Sequence, residues 1–137
     1  MKRKILSLLL VLVAVFCFAC GGGSAQCSIA DVSETRVAIL AEKTDGKATV
    51  LNCMEYLAEK GEFTYEIVGG MVTSINGKAN AADFSSCWML YTSDAEMSNV
   101  AWGTVEYNGE TLASAILGAE TLIVEEGEFY VWVYQSF

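Results

Sequence analysis

The chain has no histidine and no proline, and it has few basic residues: eight Lys and Arg against 17 Asp and Glu. Without histidine there is no Ser-His-Asp triad, no histidine general base and no imidazole zinc site. Without proline, turns must be made by Gly, Asn and Asp. The acidic balance, a formal −9, leaves no basic patch to displace counterions from a phosphate backbone. Nucleic-acid binding is excluded on that ground, and anionic headgroups are disfavoured. Asp83, Asp94 and Glu106 show no spacing of a catalytic acid–base pair and read as solvated surface charge. Asp94, Glu96 and Asn99 do not form a calcium-loop pattern, and Gly69-Gly70 reads as a turn rather than a phosphate-cradling loop. No internal repeat is present. The chain is expected to bind rather than catalyse, with no resident metal or cofactor.

What is present begins at the N-terminus. Lys2, Arg3 and Lys4 precede an apolar run over residues 5–19 in which Ser7 is the only polar side chain. A charged start followed by about 7–15 apolar residues is the signal-peptide pattern. An uncleaved membrane anchor wants about 20 apolar residues, and this run is shorter. Ala19 precedes Cys20, and Gly21, Gly22, Gly23 and Ser24 follow it. The segment resembles the lipobox of bacterial lipoproteins, with Cys17 and Phe18 departing from its usual residues. That resemblance implies cleavage before Cys20, lipidation of its thiol, and a chain tethered to the outer face of the cell membrane through lipid alone.

The expected organisation is a signal peptide over 1–19, a lipidated cysteine and flexible tether over 20–32, and one domain over 33–137. Cleavage leaves five basic residues against 17 acidic ones, a mature charge of −12. Cys27, Cys53 and Cys87 then remain; no CxxC spacing occurs among them, and an odd count cannot pair completely. Two readings stay open: a Cys53–Cys87 disulfide, since both lie in the expected domain and export permits it, or free buried thiols acting as small hydrophobes.

Residues 36–42 form the first expected strand, closed by Asp45-Gly46. Residues 49–60 form the one convincing helix, with Thr49 as N-cap and Gly61 at its end. Its apolar stripe is Val50, Met54, Leu57 and Ala58. Beyond Gly61 the period becomes two: Phe63, Tyr65 and Ile67 alternate with polar residues. Asn76-Gly77 and Asn108-Gly109 are hairpin-turn dipeptides that place both central residues at positive φ. Further strands are read over 71–75, 87–92, 104–107, 111–112, 122–124 and 129–134. One helix followed by about six strands predicts an α+β domain, the helix packed on a curved, mostly antiparallel sheet.

Large rings are the remaining signal. Tyr130, Trp132 and Tyr134 share one face of the last strand and Phe129, Val131 and Val133 the other, a pattern expected mainly of packing. Trp88 and Trp102, each near a turn, are the better candidates for touching a flat ligand.

With these residues in hand, the order Thr49-Val50-Leu51, helix, Met71 through Gly77, Trp88-Met89-Leu90-Tyr91, Glu126-Gly127-Glu128 and Val131 through Tyr134 resembles the transcobalamin C-terminal-like domain. The likeness covers about residues 36–137. It implies a β-grasp-like fold and a face that covers one side of a corrin ring. That face would use Thr73, Ser74, Ile75, Asn76 and Gly77 from the turn and Trp88, Met89, Leu90 and Tyr91 from the strand. In the cobalamin carriers a separate partner domain closes the other side of the ring, and here no histidine is available to ligate cobalt. Two functions follow: a surface-tethered protein capturing cobalamin-like or other flat small molecules for uptake, or a protein- or glycan-binding interaction module with no small ligand.

Overall fold

The structure, a computed structural model, describes residues 23–137; the leader and Cys20 lie outside them. Nine strands and one α-helix make up the regular structure of the described residues: β1 (Ala25–Val32), β2 (Arg36–Thr44), α1 (Val50–Glu59), β3 (Tyr65–Val68), β4 (Met71–Ile75), β5 (Lys78–Ala79), β6 (Ser86–Thr92), β7 (Ser98–Tyr107), β8 (Glu110–Ala115) and β9 (Phe129–Ser136). A 3₁₀ turn at Ala95–Met97 leads into β7. Six strands pair in the order β1-β2-β9-β6-β8-β7, and β3-β4-β5 form a second sheet. Every strand pair is antiparallel.

This corrects the expectation of an α+β, β-grasp-like domain with one helix packed on a curved sheet. The fold is β-rich, with two separate antiparallel sheets and a helix of ten residues. Two segments account for the difference. Residues 25–32, expected to be tether, form β1, which pairs with β2 from Ala25↔Thr44 to Val32↔Val37 across two register shifts. The ten residues of β7 extend well before the expected 104–107, reaching back to Ser98. β1 pairs along β2 and packs Cys27, Ala25 and Ile29 on the main core, while residues 100–103 of β7 bulge without a partner in β8. In β1, Ala25, Cys27 and Ile29 alternate with Gln26 and Ser28 until the register shift between Ile29 and Asp31. The domain therefore starts by Ala25, not Ser33.

Local chemistry sets the ends of the elements. Thr49 Oγ1 accepts from Asn52 N (3.3 Å) and Asn52 Oδ1 accepts from Thr49 N (2.9 Å), a reciprocal capping box at the start of α1. Asn76-Gly77 turns β4 into β5 at φ +48° and +83°, and Asn108-Gly109 turns β7 into β8 at +50° and +78°. Both dipeptides adopt the paired positive φ that their residue types favour.

The main core lies on one face of the six-stranded sheet. Val37, Ile39, Trp88, Leu90, Tyr130 and Trp132 meet Val50, Cys53, Met54 and Leu57 of α1, Val72 and Ile75 of β4, and Leu122 and Val124. A smaller cluster on other side chains, Ala38, Tyr91, Leu112 and Val131, gathers Met89, Val105, Phe129 and Val133 around it. Strand alternation splits β6 and β9 between these clusters: Trp88 and Leu90 belong to one, Met89 and Tyr91 to the other.

Cys87 follows the same parity, on the side of Met89, to whose Sδ its thiol points at 3.7 Å. Cys53 lies in the main core with α1. A Cys53–Cys87 bridge would have to pass through the sheet, so that pairing is corrected. All three described cysteines are free thiols.

The N-terminal end of β1 is clasped by Asp45, whose carboxylate accepts N–H groups from Ser24 (2.9 Å), Lys47 (2.9 Å) and Ala48 (3.0 Å). These bonds, that from Ser24 foremost, hold its pKa below the usual 3.8. A carboxyl more acidic in the folded than in the unfolded state contributes fully above about pH 4, and the contribution is lost as pH falls through the folded value. Asp45→Asn keeps an acceptor but not the charge. Thermal melts from pH 5 downward are expected to show a shallower acid loss of Tm in this variant than in the parent; parallel acid limbs would remove the charged clasp from the account.

Candidate functional site

A cleft of about 490 Å³ opens where the two sheets meet. One wall is the β3–β4 turn and the start of β4, from Gly69 to Val72; the opposite wall is the end of β8 and the segment to Ala119. Trp88, Leu90 and Trp132 of the six-stranded sheet lie between them. No charged side chain lines it. Met71, Ile116 and Leu117 remain substantially exposed at 51%, 39% and 42%, large apolar groups at the mouth of an apolar depression. The nearest charge is Glu120, whose carboxylate lies so close to Gly70 that a Cβ there would stand 3.1 Å from Oε2. An anionic ligand group on that side would meet like charge.

The two indoles of the cleft differ in how their N–H groups are used. Trp88 Nε1 donates to Lys78 O at 2.7 Å, its backbone N–H donates to Asn80 Oδ1 at 2.9 Å, and its ring meets Tyr134 edge-on at 5.3 Å between centroids. That indole is fully engaged in joining β6 to β5. Trp132 is equally buried, at 5% exposure, yet its Nε1–H has no acceptor, the single such buried side-chain donor among the described residues. A buried unpaired donor costs about 1–3 kcal/mol, so this indole is a local weakness of the core beneath the cleft.

The residues implied by the family resemblance are only partly assembled. Trp88, Met89 and Leu90 line the cleft. Tyr91 does not: it belongs to the other cluster, with its hydroxyl bonded to Gln135. The turn lies at the far end of β4 from the cleft, and its groups serve the small sheet. Thr73 Oγ1 donates to Glu66 O (3.3 Å), and Asn76 exchanges bonds with Thr64 through its N–H (2.8 Å) and Oδ1 (2.9 Å). Ser74 and Ile75 are buried, and Gly77 completes the turn. The 73–77 turn and the 88–91 strand therefore do not form one face; the cleft is lined instead by Trp88, Leu90 and Trp132 with the Gly69–Val72 and 114–119 walls. Trp132 was read as a packing residue; Gly69, Gly70, Ile116 and Leu117 carried no periodic signal, and only proximity in the fold joins them.

The isolated carboxylates occupy turns. Asp83 accepts from Ser85 Oγ (2.7 Å) and N (3.0 Å), which lowers its pKa, and Asp94 accepts from Glu96 N (3.0 Å). Glu106 accepts from Thr111 Oγ1 across the β7–β8 pair. Trp102 stands 61% exposed on β7, remote in the sheet order from the strands of the cleft other than β8.

Trp88→Phe and Trp132→Phe remove the same ring volume, but the first deletes a bond that is made and the second a donor that is unpaired. Urea unfolding is expected to show Trp88→Phe less stable than Trp132→Phe by about 1 kcal/mol or more. Equal losses would mean that the Trp132 donor is satisfied in solution, and the special status of that indole would lapse.

Compared with known proteins, the chain matches no family model, no curated protein and no solved structure.

Proposed function

We propose that the chain is an exported, lipid-anchored binding protein that captures a flat, largely apolar and uncharged small molecule in the cleft between the two sheets. The observation that carries this reading is an uncharged, apolar cleft of ligand-binding size lined by Trp88, Leu90 and Trp132, with Met71, Ile116 and Leu117 exposed at its mouth. A flat ligand ring lying in the cleft would cover Met71, Ile116 and Leu117 and stack against the lining indoles. Glu120 disfavours an anionic group, and the absence of lining cations leaves phosphate and carboxylate ligands without a partner. A corrinoid is the ligand that the family resemblance supplies, presenting amide acceptors around a broad ring. The leader and Cys20 place such a site outside the cell, where capture for uptake would be useful.

One-sided contact limits affinity. Burying about 200 Å² of apolar surface at about 25 cal/mol per Å² yields roughly 5 kcal/mol before entropic costs. Binding by this chain alone is therefore expected to be micromolar or weaker, and tighter only when a partner domain covers the free side.

Isothermal titration of the purified chain with cyanocobalamin and with riboflavin is the test, beside Trp132→Phe and Leu117→Asp. At least one ligand is expected to bind between about 1 μM and 1 mM. Trp132→Phe, which shrinks an apolar ring lining the cleft, is expected to weaken it by about three- to tenfold, and Leu117→Asp to abolish it. Nanomolar binding would overturn the one-sided picture. No binding by a folded chain would favour the interaction module, for which the exposed Val100 and Trp102 on edge strand β7 provide the surface.

The anchor is tested separately. Cys20→Ala is expected to leave the chain unprocessed or released from the membrane fraction on immunoblots. Normal processing and membrane retention of that variant would show that Cys20 is not lipidated.

A further inference from the structure

Cys27 and Cys53 share a setting that neither shares with Cys87. Cys27 is on edge strand β1 and Cys53 on α1, they are 3% and 1% exposed, and both belong to the main core. The two elements pack directly, with backbones within 8 Å along their contact. Both thiols are buried in the same cluster at the packed β1–α1 contact, and Cys27 is the largest influence on the Cys53 thiol, whose pKa it raises together with burial. Cys27 is also the first cysteine after Cys20, so any pull on a lipidated N-terminus would reach the domain through β1.

We infer that Cys27 and Cys53 form a disulfide in the exported protein, stapling the membrane-proximal edge strand to the helix. The inference rests on the export reading for its oxidising compartment and on geometry for the choice of partners. Each thiol gives up a proton and the pair gives up two electrons as one S–S bond forms. The oxidant is an extracytoplasmic protein disulfide of the dithiol-oxidase class, which accepts both electrons and is released as a dithiol. Exchange proceeds through a thiolate. Burial of both sulfurs opposes attack in the folded state, so the bond forms before α1 closes over β1. Cys87, half-buried on the other side of the sheet, stays reduced.

The bridge closes a loop of about 25 residues, a length at which cross-linking the unfolded chain stabilises a domain appreciably. It also explains how a strand held by one neighbour, β2, stays in place at the sheet edge. Main-chain bonds can be unzipped one at a time, whereas a covalent link two residues inside the strand stops peeling at that point.

The full-length chain, expressed with its own leader, is recovered from the membrane fraction, unfolded in iodoacetamide without reductant, and mapped by mass spectrometry. A peptide joining Cys27 to Cys53 is expected, with Cys87 alkylated. In parallel the purified full chain is reduced, unfolded and refolded in a glutathione redox buffer. There the same link is expected, with a Tm higher than that of the reduced protein by on the order of 10 °C, and with Cys53→Ser insensitive to reductant. If the link forms in glutathione but the cellular protein is wholly reduced, the pairing stands and the export reading fails. If three alkylated cysteines or a bridge to Cys87 are recovered from the glutathione refolding, the pairing itself is overturned.

Discussion

β9 is the last strand in the chain and the third in the six-stranded sheet, and its insertion there holds the molecule together. β1 and β2 come from the N-terminal end, β6, β8 and β7 from the middle, and no ladder joins the two groups except through β9. It pairs from Arg36↔Val133 to Leu40↔Phe129 on one side and from Ser86↔Ser136 to Thr92↔Tyr130 on the other. Its alternation serves both clusters, with Tyr130 and Trp132 in the main core and Val131 in the smaller one. The Tyr130 hydroxyl accepts from Glu125 N at 2.8 Å and so fixes the turn that feeds the strand. Such long-range pairing must be assembled late and slowly relative to helical contacts.

That insertion also explains the cleft. The small sheet continues from α1 through Phe63 and packs Val72 and Ile75 into the main core, yet it makes no ladder with the large one. Two sheets that share a core without sharing hydrogen bonds leave a seam. Trp88 bridges part of it by donating to Lys78 O, and Tyr134 bridges more by donating to Ala79 O at 2.9 Å. Both ties are at the β5 end. At the Gly69–Val72 end no such tie exists among the described residues, and there the apolar walls stand apart. The indole of Trp132 lies where the pattern of cross-seam donation stops.

Much of the local structure was legible in the residues. Thr49 and Asn52 cap a helix whose stripe is Val50, Met54 and Leu57, and the two Asn-Gly dipeptides turn hairpins, because capping and positive φ depend on a few adjacent side chains. The fold class was not legible, since β1 depends on pairing with β2 and its short alternation over 25–29 is broken by the register shift between Ile29 and Asp31. The partition of nine strands into two sheets depends on β9, a choice made by contacts across most of the chain. The site shows the same division. Trp88 and Leu90 stood out as an aromatic, apolar strand; Trp132 looked identical to its packing neighbours Tyr130 and Tyr134, and only the missing acceptor at its Nε1 separates it from them.

The cysteines sharpen the point. Position in sequence made Cys53 and Cys87 the natural pair, because Cys27 was placed in a tether outside the domain. Once β1 joins the sheet, Cys27 moves to the core beside α1, and the parity of β6 carries Cys87 to the other side. A one-residue alternation and one extra strand thus exchange the partner of Cys53. The same shift changes what the N-terminal segment does. Read as a tether, this segment would lie outside the domain, whereas β1 is clasped at Ser24 by Asp45 and packed against α1. The domain boundary then lies at Ser24, ahead of the strand, and a Cys27–Cys53 link would fix β1 to α1 at that edge of the sheet.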